Sequence, residues 1–333
     1  MTILSAIFIF SLCFVLMTSS SFILGGSIEK LKTHFRLSGG LLGMIAALAA
    51  NTPEISSAVT ALFIGEHDVG VGIIIGSSIF NLAALLGLSA LIAGRLIVRR
   101  EGVIFNGAAS LMVILVMVLL VFKFISAPVS LMLLMLLLIP YIGISSLKPD
   151  QIKQWGLPEK IYAFLIIVIA QTRHASRGPK TVISKSWSWA WMGGLAVIVI
   201  IAASMGMVRS AVFLSNALGL NTTIVGMLIL AALTGIPNVI TSIKLALGGK
   251  GTAVMSEALN SNTLNILFGI CVPAAILSFA PLSRQNIFSV WWLAGTTITA
   301  LVLLYFNRGF NRLSGAMIVG LYLVFVVLMI GWK

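Results

Sequence analysis

Apolar runs long enough to cross a bilayer as helices, about 20 residues each, recur along most of this chain. They cover approximately 2–24, 38–64, 70–93, 103–122, 127–146, 187–212, 221–247, 253–279, 286–306 and 312–332. Backbone groups in lipid must be satisfied internally, so such segments fold as a helix bundle and not as open sheet. Composition separates this from a soluble helical protein. Only 9% of the 333 residues are charged and 59% are hydrophobic, whereas soluble domains carry roughly 25% charged residues. The expected fold is an all-α polytopic membrane protein of ten transmembrane helices. Segment 2–24 has no positive leading region and is longer than the approximately 7–15 residues of a signal core, so a retained helix is expected. The shorter run 161–170, flanked by basic residues on both sides, is expected to be interfacial or packed against the bundle.

The formal net charge of +13 does not require nucleic acid. Seventeen of the 21 lysines and arginines fall in odd-numbered connections: Lys30, Lys32, Arg36; Arg95, Arg99, Arg100; Lys148, Lys153, Lys160, Arg173, Arg177, Lys180, Lys185; Lys244, Lys250; Arg308, Arg312. By the positive-inside rule those connections are cytoplasmic. Both termini then face out, and the long connection 147–186 lies inside. The compact loops suggest a prokaryotic plasma membrane. Cys13 and Cys271 lie in apolar segments and suggest no disulfide framework. His34, His67 and His174 fall in or near loops, which leaves no histidine-based metal site in the spans.

The second half of the chain repeats the first. Residues 37–81, shifted by 184 positions, fall on 221–265 without a gap, with matches at Ile45/Ile229, Ala47/Ala231, Pro53/Pro237, Gly65/Gly249, Ser77/Ser261 and Asn81/Asn265. A proline lies mid-helix in both copies, and Ser-x-x-x-Asn lies in the next helix of both. Five crossings separate the copies, so the second enters from the opposite side. That is the inverted-repeat design of secondary transporters, whose sites lie at broken helices near the midplane. The expected organisation is a first five-helix half, 1–146, with its repeat at about 37–88; the connection 147–186; and a second half, 187–333, with its repeat at about 221–272.

Pro53 and Pro237 each remove a backbone donor. Such breaks are tolerated in a membrane where they line a cavity, and the freed carbonyls are oxygen ligands. Glu54, beside the first proline, lies about 20 Å into its span at about 1.5 Å per residue. An ionisable residue at that depth marks a functional site. Its repeat mate is Asn238. Ser77 and Asn81 share one helix face, as do Ser261 and Asn265. Carboxylate, amide, hydroxyl and carbonyl oxygens suit calcium or sodium, not zinc or copper. Glu257 shares the face of Ser261 and Asn265. It either lines an access path or is a helix-end carboxylate near an N-terminus.

"NTPEISSAV" followed by "VGIIIGSSIFNLAALLG", and "TGIPNVITSI" followed by "EALNSNTLNILFG", resemble the two alpha repeats of the calcium/cation antiporter superfamily, the sodium/calcium exchanger family in particular. The resemblance implies two inverted five-helix halves around a central ion site. It implies Glu54 as a cation-binding carboxylate, Ser77 and Asn81 as partner ligands, and Ser261 and Thr234 as sodium ligands. The chain departs from the family pattern at Asn238, where a glutamate is usual, and at Asn265, where an acid is frequent. It departs also at Ala50, Asn51, Gly235, Asn260 and Glu257. One central carboxylate therefore stands where two or more are general.

The expected function is secondary active cation antiport, calcium exchanged for sodium by alternating access around Glu54. Proton-coupled or monovalent antiport, or a non-transporting relative with a degenerate second repeat, stand as alternatives. No Ser–His pair, HExxH helix or paired aspartates within the spans point to an enzyme. The expected partners are inorganic cations and the lipid bilayer, with no nucleic acid, obligate protein partner or cofactor. Calcium and sodium, or a proton, would be the transported ions.

Overall fold

The computed structural model describes residues 2–35, 39–147, 149–154, 156–175, 186–277 and 281–332. Its elements run, in order, α1 (Ile3–Phe35), α2 (Gly39–Ala50), α3 (Thr52–Phe63), α4 (His67–Ala93), β1 (Arg95–Ile97), α5 (Arg100–Val121), α6 (Ala127–Ser146), α7 (Pro149–Lys153), α8 (Glu159–Ala175), α9 (Ser186–Ala217), α10 (Thr222–Leu247), α11 (Gly251–Ile276), α12 (Arg284–Phe306), β2 (Gly309–Asn311) and α13 (Arg312–Ile330). Among the described residues nine helices are long and apolar enough to cross a membrane. Arg177, Lys180 and Lys185 of the long connection lie outside the described residues, as do Arg36, Lys148 and Lys333.

The expected crossing 38–64 is divided. It forms two helices of 12 residues, α2 and α3, that meet at Asn51. Pro53 sits in the first turn of α3, where its missing N–H is tolerated, and it disfavours helical geometry at the residue before it. The bonds from Asn51 N to Ala47 O and from Ile55 N to Asn51 O, both 3.0 Å, bridge the junction. The expectation of a matching break at Pro237 is corrected. Helix α10 continues through that proline. Its irregularity comes earlier, as wide π-type turns at Val225–Leu230. Thr234 Oγ1 donates to the Leu230 and Ala231 carbonyls at 2.9 and 3.2 Å, and Thr241 Oγ1 to that of Pro237 at 3.0 Å. These side chains brace the helix on both sides of the proline.

At the turns within the two hairpins the repeat is kept to the residue. Helix α3 ends at Phe63 and α10 at Leu247; α4 begins at His67 and α11 at Gly251. Both pairs are 184 positions apart. The turns between them share one geometry. Gly65 and Gly249 take positive φ, +88° and +70°, which glycine adopts without steric penalty. Glu66 N donates to Ala61 O, and Lys250 N to Leu245 O, each at 2.9 Å. Wide turns then recur at Leu82–Leu88 and Leu267–Cys271.

These two hairpins form the middle of the molecule. Helix α4 is apolar over most of its surface, and 94% of its spanning window is buried, against 17% for α6; such a helix belongs to the core and not to an outer layer. Its Ile73, Ile74, Ile75 and Ile79 are fully buried. At Gly76 the helix crosses α10 so closely that a Cβ would collide with the Met227 carbonyl. Helix α1 packs along α9. Helix α8 contains the run 161–170; it packs against α2, α5, α6 and α11, with Val168 and Ile169 buried. The all-helical expectation misses one feature, a short antiparallel pairing of β1 with β2. It joins Arg95 to Asn311 and Leu96 to Phe310, and ties the connection before α5 to the one before α13.

The matched turns predict matched penalties. Gly65→Ala and Gly249→Ala should each destabilise the protein by about 1 kcal/mol, and Gly76→Ala by about 1–3 kcal/mol through overpacking. Thermal unfolding of the purified variants checks this; clearly unequal shifts for the two turn glycines would contradict the shared geometry.

Candidate cation site

Glu54 lies in the first turn of α3, where the helix N-terminus favours negative charge, and it is fully buried. Asn238 faces it from α10. The Asn238 Nδ2 donates to Glu54 Oε1 at 3.0 Å and to Asn51 Oδ1 at 3.2 Å. Glu54 and Asn238 are repeat mates, and their direct contact places them at the seam between the two hairpins. Asn51 extends the network: its Nδ2 donates to the Ala47 carbonyl at 2.6 Å and to Ser261 Oγ at 3.1 Å. The junction of α2 and α3 thus sets Asn51 and Glu54 together against the second repeat.

Helices α4 and α11 supply the other side. Asn265 Nδ2 donates to Ser77 Oγ at 3.2 Å, and Ser77 Oγ donates to the Ile74 carbonyl at 3.0 Å. Asn81 Nδ2 donates to Asn262 Oδ1 at 3.3 Å, and Asn262 Nδ2 to the Ser78 carbonyl at 3.0 Å. Residues 78 and 262 are again 184 apart. Glu54, Ser77, Asn81, Thr234, Asn238, Ser261 and Asn265 are all no more than 2% exposed.

Asn81 and Asn265, themselves repeat mates, each give a side-chain N–H to the opposite repeat and keep the oxygen free. Asn81 Oδ1, Asn265 Oδ1 and Glu54 Oε2 are buried with no hydrogen-bond partner. A buried acceptor left unpaired costs about 1–3 kcal/mol, and more if charged. Three such acceptors, one of them on a carboxylate, are oxygens of the kind that hard cations bind. The donor chemistry fits calcium or sodium. Among the described residues no three His, Cys, Asp or Glu side chains gather as a metal site. Thr234 Oγ1, like Ser77 Oγ, gives its hydrogen to a carbonyl of its own helix, which leaves the oxygen's lone pairs available.

Two network members, Asn51 and Asn262, are absent from the site set drawn from the sequence. Their repeat mates are Gly235 and Ser78, so a search for identical residues in both copies passes over them; their amides at the expected helix positions were the available signal. Asn260, beside Ser261, is bonded elsewhere, with its Oδ1 2.8 Å from the Tyr141 hydroxyl, which is also 2.7 Å from Asn106 Oδ1. Glu257 lies outside the bonded network and is partly exposed.

A family model described as "Sodium/calcium exchanger protein" matches residues 5–147 and 188–331. "Sodium/potassium/calcium exchanger 4" of Homo sapiens is 38% identical over 72 residues, a match that takes in 21% of this chain and only 12% of that protein. "Putative antiporter CaxA" of Alkalimonas amylolytica is 22% identical over 330 residues, covering 92% of each chain. Among solved structures, the H+/Ca2+ exchanger CAX aligns with a TM-score of 0.70 at 15% identity, over 98% of this chain and 86% of that one. The sodium-calcium exchanger NCX_Mj aligns with a TM-score of 0.63 at 19% identity, over 98% and 99%. The chain belongs to the sodium/calcium exchanger protein family, and its long apolar helices are those of an integral membrane protein.

Proposed function

We propose that the chain is a cation antiporter that exchanges calcium for sodium at a site formed by Glu54, Ser77, Asn81, Asn238, Ser261 and Asn265. The observation that carries the reading is the trio of buried, unpartnered oxygens, Glu54 Oε2, Asn81 Oδ1 and Asn265 Oδ1. Two of the three come from repeat-matched asparagines on α4 and α11, so a cation held by them bridges the two halves. Ser77 and Ser261 add hydroxyl oxygens, and Asn238 restrains the Glu54 carboxylate by bonding one of its oxygens.

In this reading α2 and α3 together make the tenth crossing, and the halves 1–146 and 187–333 are related by inversion, with both termini outside and 147–186 in the cytoplasm of a prokaryotic cell. The seam between inverted repeats supports alternating access: the same oxygens face either side as one hairpin rocks against the other. Proline at 53 and 237 withholds an N–H from the carbonyls four residues back, those of Ala49 and Leu233, and softens each hairpin near the ion.

Proton coupling is the second reading. It is favoured by the replacement of the usual glutamate by Asn238, which leaves Glu54 as the one carboxylate bonded into the site. The two coupling ions are separated by imposing gradients on liposomes. An outward sodium gradient at fixed pH is expected to drive calcium uptake; uptake driven only by a pH gradient would establish the proton-coupled reading instead. Glu54→Gln should lower the initial rate at least about a hundredfold, because it removes the charge while keeping the shape and the acceptor for Asn238. Wild-type rates in that variant would exclude Glu54 as the ion ligand.

A further inference from the structure

Glu257 is the only acidic residue of the chain after Glu159. It stands on α11, six residues past the first residue Gly251, about 9 Å along the axis at about 1.5 Å per residue. That is deeper than the first turn, where a carboxylate serves the helix N-terminus. Among the described residues it makes no ion pair and accepts no hydrogen bond.

Its position is continuous with the proposed site. Glu257, Ser261 and Asn265 step by four and share a face. Exposure falls along that face, from partial at Glu257 to none at Ser261 and Asn265. Ser261 Oγ is bonded by Asn51, Asn51 by Asn238, and Asn238 bonds Glu54. On that face Glu257 lies one helical turn, about 6 Å of axial rise, from Ser261. Two like charges in an apolar interior repel unless a cation lies between or beside them. The fully buried, unpartnered Asn265 Oδ1 and Glu54 Oε2 are, independently of Glu257, acceptors that such a cation would satisfy.

We propose that Glu257 is the second cation-binding carboxylate of this protein, receiving a divalent ion at the accessible end of the α11 face and supplying, with Glu54, the two negative charges that balance calcium. The proposal rests on the reading of Glu54 as an ion ligand. It gives a site in which the repeat mate of Glu54 is a neutral amide a second negative charge, from the next helix, a turn before Ser261.

The test is equilibrium binding of radioactive calcium to the purified full chain. Glu257→Gln is expected to weaken calcium binding at least about tenfold, and adding Asn238→Glu to that variant should bring affinity back to within about threefold of wild type. Wild-type affinity in Glu257→Gln, with binding lost in Glu54→Gln, would overturn this inference and leave the site reading standing. Wild-type affinity in both variants would overturn the inference and the site reading together. A measurement without substitution guards against misfolding: calcium should protect Glu257 of the wild-type protein from carbodiimide, read by peptide mass spectrometry. Equal labelling with and without saturating calcium would overturn the inference.

Discussion

A carboxylate buried in the interior of a membrane bundle is the constraint on which the rest depends. Glu54 is fully enclosed, and only one of its oxygens has a donor. A charge in that position is penalised unless something cationic or protonic accompanies it. The surrounding groups do not supply that partner. Asn238 offers one N–H, and no lysine or arginine is bonded to the carboxylate among the described residues. The free amide oxygens of Asn81 and Asn265 add acceptors and no donors. One carboxylate oxygen and two amide oxygens are therefore left unpaired, and the proposed ion site rests on them.

The internal repeat supplies the second constraint. Chain positions 184 apart meet at the centre, with Glu54 bonded to Asn238 and Asn262 to the Ser78 carbonyl. In the proposed transport reading, a site at such a seam draws ligands from both hairpins, and a relative movement of the hairpins would change access without dismantling the ligand set. The irregular backbone falls in the same hairpins: the α2–α3 junction at Asn51 and the wide turns of α4, α10 and α11. Irregular backbone in a membrane needs internal partners, and the bonds of Thr234, Thr241 and Asn51 to main-chain carbonyls provide them.

Local chemistry explains which features could be read from the sequence. The glycines at 65 and 249 follow helices and precede helices, so the turn and its 184-residue period are legible before any coordinates. Length and apolarity likewise delimit most helices to within a few residues. The prolines are less decisive. The same residue opens a helix at Pro53 and is absorbed within one at Pro237, because the hydroxyls and wide turns that accommodate it lie at other positions. Side-chain partnership is the least legible. Glu54 and Asn238 are marked by their matched places, but Asn51 and Asn262 enter through contacts with non-identical mates, and Thr234 gives its hydroxyl hydrogen to its own helix. Tyr141, which meets Asn106 and Asn260, belongs to a helix that the repeat comparison does not include.

The most direct measurement is the anomalous scattering of strontium, a heavier stand-in for calcium, in crystals of the wild-type protein. A peak is expected at bonding distance from Glu54 Oε2, slightly beyond the roughly 2.3–2.6 Å of calcium–oxygen bonds because strontium is the larger ion, and within reach of Asn81 Oδ1 and Asn265 Oδ1. A strontium peak at saturating concentration that leaves all three oxygens without a cation ligand would contradict a site built on them.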